Sequence, residues 1–169
     1  MKKLFMMIVL LTIPFVMQAQ TKFHDVEANE AQGPVKSVTT SMMGMSQTIN
    51  FTEDGKIASG DISDATYDAE GYIQSAKISM QGQSVEVKFV WENGRLKGQA
   101  LNIMGNDFKS TYNYDDKGVV TSVSIDMGGQ VMDAPYSDYK YDDHGNWISR
   151  KQSMMGQEME TTRSFTYYE

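Results

Sequence analysis

Apolar and polar residues alternate with a period of two along most of this chain. Val85, Val87, Phe89 and Trp91 are interleaved with Ser84, Glu86, Lys88 and Val90. Val119, Thr121, Val123 and Ile125 are interleaved with Ser122 and Ser124, and Met159, Thr161, Arg163, Phe165 and Tyr167 follow the pattern more weakly. Such alternation is the mark of strands with one face buried. Beyond the first twenty residues no stretch sustains the i, i+3, i+4 apolar spacing of a helix.

The strands are punctuated by two interleaved turn series. The first comprises Phe51–Ile57, Tyr67–Ile73, Val90–Leu96, Tyr114–Val120 and Tyr141–Trp147, with glycines at 55, 71, 94, 118 and 145. In each, an apolar or aromatic residue stands four before the glycine, an apolar one two after it, and mostly acidic or amide residues lie between. Glycine accepts the left-handed conformation that closes a type I turn with a bulge, and Asp or Asn side chains bond nearby N–H groups. The second series reads Met43-Gly44, Met80-Gln81-Gly82, Met104-Gly105, Met127-Gly128-Gly129 and Met155-Gly156. From glycines 71, 94, 118 and 145 to the next methionine-turn glycine the distance is always 11 residues.

These signals predict one all-β domain over residues 34–169. Its form is an antiparallel meander of about 10–12 short strands of seven or eight residues, strongly twisted or curled and tending toward a barrel. Successive hairpin turns lie on opposite edges, so the acidic turns share one rim and the methionine turns the other, provided Gly60-Asp61 also turns the chain. The run Phe165–Glu169 stops where another repeat would begin. It is therefore expected to be an exposed edge, needing cover or open to self-association.

Tyr112-Asn-Tyr114-Asp115-Asp-Lys-Gly118 and Tyr139-Lys-Tyr141-Asp142-Asp-His-Gly145-Asn-Trp147-Ile-Ser-Arg150 resemble the tyrosine-aspartate (YD, or Rhs-type) repeat. Gly94-Arg95-Leu96 followed by Gly105 matches its Gly-Arg-Leu and later glycine. The likeness covers about residues 51–169, in a small secreted form resembling those of Bacteroidetes. Thr52 and Trp91 stand where the aspartate belongs, which puts firm capping of those two turns in doubt. The resemblance implies an extracellular all-β array and no catalytic residue.

The N-terminus, Met1-Lys2-Lys3 followed by the apolar run Leu4–Val16 and by Ala19-Gln20, has the three parts of a cleavable export signal. The run is shorter than the roughly 20 residues of a membrane span and contains Pro14. Residues 1–19 are read as the signal, 20–33 as a flexible segment, and the product as periplasmic or secreted. With no cysteine in the chain, disulfides, thiolate chemistry and a lipoprotein anchor are excluded. The net charge is −7, and without Lys2 and Lys3 the remaining 13 Lys and Arg face 22 Asp and Glu. So acidic a surface argues against nucleic acid and anionic lipid as partners.

Candidate chemistry is sparse. His24 and His144 are the only histidines, one in the N-terminal segment and one inside a turn, and neither has the setting of a catalytic base. Asp115-Asp116 and Asp142-Asp143 read as turn caps rather than calcium ligands, since no alternating ligand series accompanies them. No cofactor is expected. The unusual residue is methionine: Met42, Met43, Met45, Met80, Met104, Met127, Met154 and Met155 all sit at or beside the second turn series. Three readings stand: a flexible cap over an open end of the sheet, an adaptable apolar rim for a protein or hydrophobic ligand, and thioether binding of Cu(I). Tyr67, Tyr72, Tyr114, Tyr141, Trp147, Phe165 and Tyr167 pack across strands or, if exposed on one face, stack sugars. The expected function is a non-enzymatic binding or structural module. Its rival is a small hydrolase using a carboxylate pair.

Overall fold

In the computed structural model, which describes residues 22–59, 62–80, 83–103 and 105–169, the alternation becomes one antiparallel sheet. A short helix α1 (Asp25–Ala28) precedes strands β1 (Val35–Met42), β2 (Met45–Phe51), β3 (Ile57–Ser59), β4 (Ile62–Tyr67), β5 (Ile73–Met80) and β6 (Gln83–Glu92). Then follow β7 (Arg95–Ile103), β8 (Asn106–Tyr114), β9 (Val120–Met127), β10 (Gln130–Tyr141), β11 (Trp147–Met154) and β12 (Gln157–Tyr167). The sheet order is β3-β2-β1-β12-β11-β10-β9-β8-β7-β6-β5-β4. The twelve-stranded meander curls into a nearly closed barrel with one unsealed seam, between β3 and β4. The expected all-β meander is the observed fold, but β6, β7, β8, β10 and β12 run to 9–12 residues and exceed the expected seven or eight.

The C-terminal strand, expected at an edge, is not one. β12 lies beside β1, with Val38 opposite Phe165, Thr40 opposite Arg163 and Met42 opposite Thr161. Residues 35–42 precede the first recognisable repeat turn, and their backbone groups pair with those the last strand would otherwise leave open. The described edges are β3 and β4, and the expected turn at Gly60-Asp61 between them lies outside the described residues.

The two turn series have different chemistries. Met43-Gly44, Gly128-Gly129 and Met155-Gly156 have positive φ at both positions, which is the two-residue turn matched to the twist of a hairpin. The acidic turns are longer and bulged, with register shifts at Phe51, Tyr67, Tyr114 and Tyr141. Asp68, Asp115 and Asp142 each cap theirs by accepting two backbone N–H groups at 2.8–3.2 Å. At the first turn Thr52 replaces one such bond, accepting from Lys56 N–H at 3.1 Å. The third departs from the expected geometry: Asn93-Gly94, at φ 52° and 73°, forms a two-residue turn and needs no aspartate.

Three aromatic side chains beside the acidic turns make one recurring bond. Trp91 Nε1–H donates to the Ile73 carbonyl at 2.8 Å, Tyr114 O–H to Leu96 at 2.6 Å and Tyr139 O–H to Val120 at 2.7 Å. Each acceptor stands two residues after the preceding turn's glycine, so the aromatic residue locks one hairpin onto the next. Burial first of all pushes the Tyr114 and Tyr139 hydroxyls up to about 12. Gly98, opposite Thr111 on the neighbouring strand, is required by close backbone approach: a Cβ there would collide with the Ser110 carbonyl oxygen. Gly98→Ala should therefore cost about 1–3 kcal/mol in urea unfolding. A change within a few tenths of wild type would show that the strands can separate there without penalty.

The described part of the segment read as flexible, residues 22–33, is folded across the acidic-turn end. Phe23 N–H bonds Asp54 O at 2.9 Å, and His24 N–H bonds Gly71 O at 3.2 Å. The Asn146 side chain accepts from Gln32 N–H at 2.8 Å and donates to Gln32 O at 3.0 Å. Val26 and Ala31 join Val35, Val38 and Phe51 in a buried cluster. Two apolar residues are too few to leave a periodic signal in the sequence. Among the described residues no helix is long and apolar enough to cross a membrane.

Candidate functional site

The predicted methionine positions gather at the barrel end opposite the plug that residues 22–33 form, except that Met104 lies outside the described residues. Met42 faces Met45 directly, Met127 lies opposite Phe108, Met154 and Met80 end their strands, and Met43 and Met155 occupy turn tips. Met43 and Met155 hold φ of 52° and 51° and are 73% and 80% exposed. Left-handed backbone favours Gly, Asn or Asp, and neither side chain is packed, so local folding chemistry does not account for methionine at either tip.

Residues directly opposite on paired strands share a face, so buried positions identify the barrel's interior. Val85, Val87, Val123 and Ala134 are buried, and the register joins to them Phe89, Leu101, Phe108, Ser110, Ile125 and Met132. These six point inward, several from mid-strand, yet are only half-buried. An inward-facing side chain that retains accessible surface must face open space. Eight strands make a barrel that side chains just fill, and twelve leave room for more. The upper lumen is a mainly apolar cup, with Ser110 and, opposite it, Gln99 as inward polar residues, and its mouth is the methionine rim.

At the plugged end the lumen turns polar. Arg150 and Arg163 are each 7% exposed. Arg150 donates to both oxygens of Glu30, at 2.5 and 3.2 Å, and to Tyr139 Oη at 3.2 Å. Its guanidinium lies 3.6 Å from the Tyr136 ring centre and 4.1 Å from that of Trp147. Arg163 sits over the same tryptophan at 4.2 Å and donates to the carbonyls of Asn29 at 2.7 Å and Glu30 at 3.1 Å. Burial, the largest effect, pulls Arg163 down to about 10, with Glu30 opposing and Arg150 adding to the fall. Burial also lowers Arg150, but Glu30 and the neighbouring tyrosines outweigh it and the net direction is up. Thr161, opposite Arg150, and Gln152, opposite Tyr136, are buried on the same inner face.

This cluster was not legible as a site in the sequence. Its one trace is a charged residue, Arg163, at an inward place in the period-two pattern. Glu30 lies in the segment read as flexible, 120 residues from its partner.

A second concavity of about 390 Å³ opens between the plug and the turns at Gly94, Gly118 and Gly145, lined by Glu27, Glu30, Arg95, Tyr114, Tyr141 and Trp147 among others. His24 stacks on Tyr72 at 4.0 Å and His144 on Tyr167 at 3.8 Å, so the sequence's only histidines are packing elements of the acidic end. Among the described residues no three His, Cys, Asp or Glu side chains cluster as a metal site. No family model and no curated protein matches this chain.

Proposed function

We propose that the chain is an exported, non-enzymatic binding module that takes a hydrophobic ligand into its lumen through the methionine rim. The observation that carries this reading is the half-burial of Phe89, Leu101, Phe108 and Ile125, all aimed inward from the strands. Apolar surface left in contact with water is a standing cost that a ligand's burial removes, at about 25 cal/mol per Å². Flexible thioethers suit a mouth that must admit differently shaped apolar groups. The export signal and the likeness to extracellular repeat arrays support an extracytoplasmic site of action.

A hydrolase with a carboxylate pair is the rival, since Glu27 and Glu30 both line the outer concavity. Arg150 engages both Glu30 oxygens, which leaves one free carboxylate there rather than a working pair. The test is titration with the neutral dye N-phenyl-1-naphthylamine. The expected result is saturable uptake at one site per chain, weakened tenfold or more by Ser110→Trp, which fills the cup at mid-strand, and unaffected by Ser110→Ala. No saturable uptake, or uptake indifferent to Ser110→Trp in a protein that still melts cooperatively, overturns the reading.

A further inference from the structure

We infer that the ligand of the lumen is an amphipathic monocarboxylate, a long-chain acid whose headgroup is held by Arg163 and Arg150 at the plugged end; this rests on the lumen being the binding site. The argument begins with charge. Two guanidinium groups are buried together, and one carboxylate, Glu30, hydrogen-bonds to Arg150 alone. Glu30 is spent on Arg150. Arg163 hydrogen-bonds only to neutral backbone carbonyls, those of Asn29 and Glu30, and otherwise lies over the rings of Trp147 and Phe165. The cluster therefore carries one positive charge in excess, inside a protein whose overall charge is −7. Buried charge without a partner is costly, and its natural complement is a single negative charge.

Donors are also left over. The Nε–H groups of Arg150 and Arg163 are both buried and without a partner among the described residues. Buried guanidinium donors are ordinarily satisfied, so two orphans flanking one tryptophan mark places where acceptors are missing. A carboxylate offers two oxygens and bonds guanidinium groups in a charge-assisted, directional way.

The wall above the arginines completes the match. Thr40, opposite Arg163, and the buried Thr161 and Gln152 make a short polar collar on the inner face. Beyond it come Met159, Met132, Ile125 and Phe108, and finally the methionine mouth. Polar at the closed end and apolar to the open end is the profile of a ligand with one charged head and a hydrocarbon tail. A sugar would leave the apolar wall uncovered, and a hydrocarbon would leave the excess charge buried.

The experiment is competition against bound N-phenyl-1-naphthylamine by hexadecanoic acid and by hexadecan-1-ol, on wild type, Arg163→Met and Arg163→Lys. We expect the acid to displace the dye at a concentration at least tenfold below the alcohol on wild type. Arg163→Lys should retain a preference, and Arg163→Met should bring acid and alcohol to equal affinity. Equal displacement by acid and alcohol on wild type, with dye uptake intact, would overturn the headgroup assignment while the lumen reading stands. No dye uptake by wild type would overturn both. The wild-type comparison decides even if a variant fails to fold.

Discussion

Replacing Glu30 with alanine should destabilise the fold by about 3–5 kcal/mol, the range for removing one partner of a buried ion pair. On a chain of this size that lowers the melting temperature by on the order of 10 °C. The loss is large because the remaining partners cannot reach water. Arg150 would keep its charge with only a tyrosine hydroxyl and three aromatic rings to meet it. Arg163 would keep its charge as well, and the two guanidinium groups would stand near each other with no carboxylate bonded to either. The contrast is the surface pair Lys77–Asp64, at 2.8 Å but with side chains 51% and 66% exposed. Lys77→Met should leave stability close to that of wild type, because an exposed pair is screened by water. Parallel urea titrations of both variants provide the check. Similar costs for the two would mean that the plug's ion pair is no more than a surface contact.

Asp25→Ala should cost about 1–3 kcal/mol, because it leaves two partly buried donors unpaired. Asp25 is fully buried, and its Oδ2 accepts from Ile57 N–H on β3 at 2.8 Å and from Tyr67 O–H on β4 at 2.7 Å. Those are the two edges that the sheet leaves unpaired, so one carboxylate from the plug spans the seam. The same residue makes stability depend on pH. Burial raises its pKa above 3.8, against the opposing hydrogen bonds from Ile57 and Tyr67. A group whose folded pKa is raised binds its proton more tightly in the native state. Its contribution is complete below 3.8 and is lost as pH rises through the raised value. Asp142 works in the opposite sense. Burial alone would raise it, but the Tyr167 hydroxyl and the N–H groups of Asn146 and His144 together hold it below 3.8. Its stabilisation is present above 3.8 and is lost as pH falls through the lowered value. Asp25→Asn keeps an acceptor oxygen and removes the titration. It should gain stability relative to wild type as pH rises from about 3 to about 7. Unfolding free energies that track wild type across that range would refute the raised pKa, and an Asp25→Ala variant as stable as wild type would refute the seam role.

The plug shows where sequence reading stops. Residues 22–33 carry no repeat glycine, no alternation and a helix of one turn, so every local criterion assigns them to loose chain. What orders them is the pattern of unsatisfied groups on the barrel's acidic end: the carbonyls of Asp54 and Gly71, the Asn146 amide and the two inward arginines. The same holds for the C-terminal strand. Phe165 and Tyr167 read as an edge because the next repeat is missing, whereas the partner strand lies more than a hundred residues earlier.

Strand number, strand faces, the two turn series and their separation onto opposite ends follow from residues a few positions apart, because side-chain alternation and turn dihedrals are short-range properties. The methionine turns could be placed at one end of the molecule by counting, given a turn at Gly60-Asp61 to keep the alternation in phase. Closure of the sheet onto β1, the plug across the acidic end, the seam bridged by Asp25 and the buried Arg150–Glu30–Arg163 group were decided only in three dimensions. Each depends on burial and hydrogen-bond satisfaction between groups up to 134 residues apart, and desolvation acts on what surrounds a side chain in space, not on what adjoins it in the chain.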